Sequence, residues 1–277
     1  MRITITGASG LLGSKLTAAL EQRGDEVTGI SIRNGVQTED IAGRDAIVHL
    51  AGENVAQRWT DKARTQIEES RVMGTRRVVE AINAADPKPK ALISSSAVGY
   101  YGKHGDERVD EDSPPGDDFL AQVCVAWERE AIEADTRVVR VRTGVVLDLN
   151  GGALSKMMLP FKCGVGGPVA GGGQYLPWIH VDDVVGIYLA AIDGDWTGAV
   201  NATAPEPVTN KEFSRALGRA LHRPAIAPIP GFAIRLLYGD MAEIVTEGQR
   251  AIPRRTLEYG YAFRYTDLDE ALKTATS

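Results

Sequence analysis

Apolar and polar positions change their period along this chain, and the change separates strands from helices. Arg2-Ile3-Thr4-Ile5 is a short strand pattern that starts at the second residue. Leu11, Leu12, Leu16, Ala19 and Leu20 follow on one face of a helix, and Gly24 ends that pattern. Glu26–Ile32, Ala46–Leu50, Ala91–Ser95 and Arg137–Arg142 read as four more strands, and Thr60–Ala84 and Phe119–Ala134 as long helices. The second and third strands leave room between them for only a single turn, near Thr38–Ile41. Strands alternating with helices predict a parallel sheet with right-handed crossovers. After Gly151 the texture breaks up: 164–173 is rich in glycine, and Pro205, Pro207, Pro224, Pro228 and Pro230 interrupt the stretch beyond it. Residues 1–150 therefore read as a core domain, and 151–277 as the last sheet strands interleaved with a small C-terminal lobe.

The join between the first strand and the first helix carries the strongest chemical signal. It reads Thr6-Gly7-Ala8-Ser9-Gly10-Leu11-Leu12-Gly13. Gly7 lets the chain leave the strand with a positive φ, Gly10 leaves space where backbone approaches a pyrophosphate, and Gly13 permits tight helix packing. The free N–H groups at the helix start then face phosphate, where the helix dipole favours negative charge. In this strand–turn–helix context the motif marks a dinucleotide cradle. The expected architecture is an α/β, Rossmann-type doubly wound parallel sheet with a small C-terminal substrate lobe.

Which dinucleotide depends on the end of the second strand. A carboxylate there accepts from the ribose hydroxyls of NAD, whereas a base suits the 2′-phosphate of NADP. This strand runs out through Ser31-Ile32-Arg33, with no acidic residue before Glu39. Arg33 offers a planar, permanent charge for a phosphate, so NADP is expected and NAD less so. His49-Leu50-Ala51-Gly52 closes the third strand with small residues, and Glu53 follows at the sheet edge where ligands of such folds sit.

Bulk properties narrow the partners. A formal charge of −6 and the absence of a basic run argue against nucleic acid or an anionic membrane surface. The two cysteines, Cys124 and Cys163, make neither a disulfide framework nor a metal-ligand spacing. No apolar run approaches membrane-spanning length and the first strand starts at the first residues, so a cytoplasmic protein is expected.

With these residues in view, the chain resembles an extended short-chain dehydrogenase/reductase, and more narrowly its atypical epimerase-like subgroup, often labelled nucleoside-diphosphate-sugar epimerase. The likeness rests on the glycine turn at 6–13, His49-Leu50-Ala51-Gly52, Glu53-Asn54, Arg58-Trp59, Ser70-Arg71 and Gly74-Thr75. It continues through Ser94-Ser95-Ser96-Ala97-Val98-Gly99-Tyr100-Tyr101-Gly102, Trp127-Glu128 and Trp178-Ile179-His180-Val181-Asp182-Asp183, and ends with Pro253-Arg254-Arg255-Thr256-Leu257 and Gly260-Tyr261-Ala262-Phe263. It implies NADP bound at Gly7, Ser9, Gly10, Leu11, Leu12, Gly13, Arg33, Leu50, Ala51, Gly52, Glu53, Ser94 and Ser95. Thr143, Gly144, Val145 and Val146 would lie against the nicotinamide, beneath a small-molecule cleft. No metal is implied. Relatives that dimerise through the two long helices suggest a homodimer.

The chain also departs from that pattern. Extended members carry Tyr-x-x-x-Lys on the helix after the fourth strand, where the Tyr moves a proton and the Lys lowers its pKa and holds the nicotinamide ribose. Here the pair becomes Val123/Trp127 or Cys124/Glu128, depending on register. Sugar-nucleotide epimerases tend to place an Arg-Asp pair before the Ile-His-Val segment, and this chain has Leu176-Pro177. Ser96 and Tyr101 remain as catalytic candidates, with Tyr101 expected to line the cleft at a free phenol's pKa and Tyr100 to point away. Asp182 or Asp183 is expected to cap the following helix, His180 to be structural, and Arg254-Arg255 to solvate a surface strand. Two functions compete: an NADP(H)-dependent oxidoreductase or epimerase-like enzyme with a rebuilt acid/base set, and a non-catalytic NADPH sensor. A UDP-sugar epimerase ranks below both.

Overall fold

The first strand, β1 (Arg2–Thr6), leads through the glycine turn into α1 (Leu11–Gln22), whose buried Gly13, Leu16 and Leu20 face the sheet in this computed structural model. The structure describes residues 1–276. β2 (Glu26–Ile30) and β3 (Ala46–His49) follow, joined by two single turns at Ile32–Asn34 and Thr38–Asp40. The second strand is thus shorter than expected. Ser31 accepts from the Arg33 N–H and starts a turn, so Arg33 lies beyond the strand rather than at its tip.

α2 (Asp61–Ala84) starts at Thr60, whose hydroxyl accepts from the Ala63 N–H, and it leads to β4 (Ala91–Ala97). The two-residue strand β5 (Arg108–Val109) precedes α3 (Phe119–Ile132), which Asp118 caps in the same way. β6 (Arg137–Thr143) and the short β7 (Val145–Leu147) come next, then α4 (Gly152–Lys162), β8 (Tyr175–Leu176) and β9 (Trp178–His180). α5 (Val181–Asp193) and β10 (Gly198–Ala202) complete the central sheet, whose order is β10-β6-β4-β3-β1-β2, parallel throughout.

Both faces of that sheet are covered, as a parallel sheet requires. Ile3, Ile5, Val48, Ile93, Val139 and Val141 pack against Leu16 and Leu20 of α1 and Tyr188 of α5. On the other face Ile47 and Leu92 meet Val78 and Ile82 of α2 and Ala131 of α3. Each fully buried aliphatic side chain contributes about 1.5–3 kcal/mol. The period of two in these strands is what divides the two layers.

The C-terminal segment builds a second core around Trp178, Phe213, Leu217, Tyr265 and Leu272. Buried Asp183 ties it to the sheet domain, accepting from the Tyr261 hydroxyl and from the N–H groups of Arg264 and Tyr265. Two local expectations are corrected here. His180 caps α5, its Nδ1 accepting from the Asp182 N–H at 3.2 Å, while Asp183 is spent inside. Arg254 and Arg255 open a short helix, Arg254–Glu258, and pair with Asp110, Asp112 and Glu258 rather than solvating a strand.

Candidate functional site

Strand order reverses at β1: the chain steps to β2 on one flank and to β3 on the other. Ligands of such sheets sit at the carboxyl ends of the strands flanking this reversal. The register sets those ends level, with Thr6 opposite His49, His49 opposite Ser94, and Ala97 opposite Thr143. Residues far apart in sequence therefore meet along one edge.

The glycine turn is built for close approach. Gly7 has φ +73°, and a β-carbon on it would stand 2.9 Å from the Ala51 nitrogen. A β-carbon on Gly13 would stand 2.2 Å from the Gly7 carbonyl oxygen, so no larger residue fits there. Ser9 and Gly10 are exposed, and Gly10 forms the extended N-cap of α1 with no side chain to answer the helix's first N–H groups. The cradle is open toward solvent and rich in donors.

A buried cluster holds it in place. The His49 ring bridges the hydroxyls of Thr6, 2.6 Å from Nδ1, and Thr75, 3.0 Å from Nε2. Thr6 Oγ1 also accepts from the N–H groups of Leu50 and Ala51. Complete burial pushes the His49 imidazole down to about 4, with nearby Arg71 acting the same way. It is a neutral spacer between the turn, β3 and α2.

The remaining cofactor candidates take varied positions. Arg33 is exposed beyond β2, and among the described residues its guanidinium has no ion-pair or hydrogen-bond partner. Gly52 is exposed and Glu53 half-buried, with the Glu53 N–H on Ser70 Oγ at 2.9 Å. Ser95 lies 2.6 Å from the Tyr188 hydroxyl, whose phenol burial pushes up to about 12. Ser94 is buried, its hydroxyl donating to the Ser95 carbonyl at 3.3 Å. At the end of β6, a β-carbon on Gly144 would strike the Pro177 carbonyl oxygen at 2.2 Å. The N–H groups of Gly144 and Val145 donate to the carbonyls of Ala202 and Pro177, the Thr143 hydroxyl donates to the Val141 carbonyl, and Val146 packs against the core.

Both catalytic candidates prove to be interior. Ser96 is 4% exposed and donates to Glu128 Oε1 at 2.7 Å. Arg142 grips the same carboxylate from Nε and Nη2 at 2.8 and 2.9 Å, and Arg140 adds a contact at 3.1 Å. Tyr101 is fully buried; its hydroxyl donates to Asn201 Oδ1 at 2.7 Å and accepts from Arg142 at 3.1 Å. Burial drives the Tyr101 phenol well above its usual range, with Arg142 only partly offsetting this. The expectation of a cleft-lining phenol with an ordinary pKa is therefore corrected. The turn at Val98–Tyr101 sends Tyr101 inward and leaves Tyr100 half-buried, stacked 3.4 Å from the Arg142 guanidinium carbon.

The register question on α3 is also answered. Cys124 lies by Gly99 and Glu128 bonds Ser96, so this pair faces the end of β4, while Trp127 faces α2. Burial, with Glu128 beside it, pushes the Cys124 thiol up to about 12. The sequence marked Glu128 only as a residue in place of a lysine, and gave Arg142 no role. Their signal was present: charged residues at inward positions of an otherwise apolar helix face and of the strand Arg137–Thr143.

These features define a dinucleotide-binding α/β protein of the Rossmann type whose usual proton relay is absent. Comparison with known proteins is in keeping with this. Residues 3–202 match the NAD dependent epimerase/dehydratase family, and 229–275 match a domain of unknown function. The chain belongs to the NAD dependent epimerase/dehydratase family. It is 39% identical to the human epimerase family protein SDR39U1, covering 99% of each chain. It is 37% identical to the epimerase family protein YfhF of Bacillus subtilis, covering 98% of this chain and 97% of the other. The crystal structure of human SDR39U1 (isoform 2) with NADPH superposes with a TM-score of 0.92 at 37% identity, covering 100% of this chain and 99% of that one. The nucleoside-diphosphate sugar epimerase from Corynebacterium glutamicum gives 0.80 at 33% identity, over 98% of this chain and 57% of that one. UDP-glucuronic acid 4-epimerase from Bacillus cereus, at 17% identity and a TM-score of 0.78, shares the fold. Among the described residues no helix is long and apolar enough to cross a membrane, and no group of His, Cys, Asp and Glu is arranged to hold a metal.

Proposed function

We propose that this chain binds NADP(H) across the carboxyl edge of its sheet and acts on a small molecule as an oxidoreductase or epimerase-like enzyme without the family's tyrosine–lysine relay. The observation that carries this reading is the open glycine cradle, in which Gly7 and Gly13 admit no side chain and the start of α1 presents unanswered N–H groups. The NADPH in the human relative's structure supports the same cofactor here. When bound, the cofactor supplies or accepts a hydride. The N–H groups opening α1 take the pyrophosphate, and Arg33 takes the 2′-phosphate. Ser96 and Tyr101 keep the end of β4 rigid and move no proton, so a proton comes from solvent at the edge. Leu176, paired with Val208 in a short strand, gives a nucleoside diphosphate no charge to hold, which counts against a UDP-sugar substrate.

The test begins with binding. NADPH should bind more tightly than NADH, and Arg33→Ala should cost about 1.5–3 kcal/mol for NADPH alone, the size of a hydrogen bond to a charged group. Equal affinities for the two cofactors in the unaltered protein would overturn the assignment.

A second reading, an NADPH sensor without turnover, is favoured by the burial of Ser96 and Tyr101 in one ionic network. Incubation with NADPH and a panel of small carbonyl compounds separates the two. Consumption of the reduced nicotinamide supports the enzyme, and tight binding with no consumption across the panel supports the sensor.

A further inference from the structure

One cation near the sheet edge has no part in the network around Glu128. Arg71 projects from α2 so that its guanidinium lies against Gly52; a β-carbon on Gly52 would stand 3.4 Å from Arg71 Cζ. Nη1 donates to the carbonyls of Glu53 at 3.0 Å and Ile67 at 3.1 Å. The guanidinium carbon sits 5.2 Å from the centre of the Trp127 ring. Among the described residues no carboxylate pairs with Arg71, and its Nε and Nη2 carry no protein hydrogen bond. A second donor nearby is also unanswered: Trp127 is 5% exposed, and its Nε1 is buried without an acceptor. Glu53 acts on this half-buried guanidinium only from beyond salt-bridge distance, and a cation withdrawn from water with no carboxylate in contact is costly. Burial accordingly pulls the Arg71 pKa below its ordinary value.

Position narrows the ligand. The glycine turn packs on Leu50 and Ala51, so Arg71 stands just past the cradle. It stands on the flank of β3, β4 and α3, whereas Arg33 lies beyond β2 on the opposite flank of β1. A dinucleotide held with its 2′-phosphate at Arg33 and its pyrophosphate at α1 would have its other half on the Arg71 flank of β1. The helix position that would supply a lysine from α3 is held by Glu128, which is saturated by Ser96, Arg140 and Arg142.

We propose that Arg71, braced on the face of Trp127, donates to the hydroxyls of the nicotinamide-side ribose of NADP(H), the task a lysine on α3 performs where Tyr-x-x-x-Lys is present. The charge thus enters the site from α2 instead of α3, and a planar fork replaces a point charge. The proposal rests on the NADP(H) reading above.

The test separates the two halves of the cofactor. Calorimetric titration compares NADPH with adenosine 2′,5′-bisphosphate, which keeps the adenine half and lacks the second ribose. Arg71→Gln should weaken NADPH about 10- to 100-fold, the worth of a charged hydrogen bond, and leave the bisphosphate unchanged. Arg71→Met, which cannot donate to the Glu53 carbonyl either, should give the same ratio, so either variant suffices if the other fails to fold. NADPH affinity held within twofold in the variants would overturn the proposal, as would equal weakening of both ligands. If the unaltered protein binds neither ligand, it is the cofactor reading that fails.

Discussion

Removing the charge of Glu128 should cost more stability than any other single neutralisation around the sheet. Its carboxylate is 4% exposed and takes four donors: Ser96 Oγ, Nε and Nη2 of Arg142, and Nη1 of Arg140. Arg142 is 3% exposed, and Glu128 is its only anionic partner at salt-bridge distance among the described residues. Burial alone would pull the Arg142 guanidinium down, and the paired carboxylate more than offsets that, holding it above its ordinary value. Glu128→Gln keeps the shape but strands that cation in the interior. Breaking a buried pair from one side costs about 3–5 kcal/mol, against a typical domain stability of about 5–15 kcal/mol. Glu128→Lys, which would restore the family's residue type at this position, sets a third cation beside Arg140 and Arg142, so the chain should not fold. The double change Glu128→Leu/Arg142→Met removes both charges and should lose less than either single change. Urea unfolding gives the midpoint and slope for each variant. A loss under about 1 kcal/mol for Glu128→Gln at unchanged slope would refute the argument that this pair holds β4, α3 and β6 together.

Three further outcomes are expected. His49 stays neutral in the fold at about 4 against 6.5 when unfolded, so the unfolded chain takes up its proton first as pH falls. Stability should be full above pH 6.5 and decline by about 3 kcal/mol down to pH 4; urea midpoints whose slope with pH is the same in His49→Gln would contradict this. Tyr101→Phe should destabilise by about 1–3 kcal/mol, because Arg142 and Asn201 each lose a buried partner, while NADPH affinity and any turnover persist. A hundredfold drop in rate at unchanged stability would return Tyr101 to the chemistry. Gly13→Ala drives a β-carbon into the Gly7 carbonyl and should cost about 1–3 kcal/mol of overpacking. Calorimetry should then show NADPH binding lost, and full affinity at an unchanged Tm would mean that the helix can move aside.

The NAD in several solved relatives belongs to proteins less than 25% identical to this chain, so those structures speak to its fold and not to its cofactor. Arg33 is the local reason to expect a phosphate. Its distance past β2 comes from Ser31, which ends the strand by capping a turn.

Local rules settled much of this protein from its sequence. The Thr6–Gly13 turn, the alternation of strand and helix and the two long helices depend on neighbours within a few residues, and the structure carries them all. Strand ends were less secure. β4 and β6 run on to Ala97 and Thr143 because each pairs with the other to its last residue. What only the tertiary structure decided is where the side chains beyond those ends go. Tyr100 and Tyr101 are equivalent as letters, but Asn201, far along the chain on β10, gives Tyr101 a buried acceptor, and Arg142 gives Tyr100 a cation to cover. Ser96 looked available because its carboxylate partner comes from another helix. Glu128 looked like a lost lysine because the two arginines that need it lie on a neighbouring strand. A buried charge is stable only with its counter-charge in place, and that pairing is made in space, between elements whose separation along the chain carries no record of it.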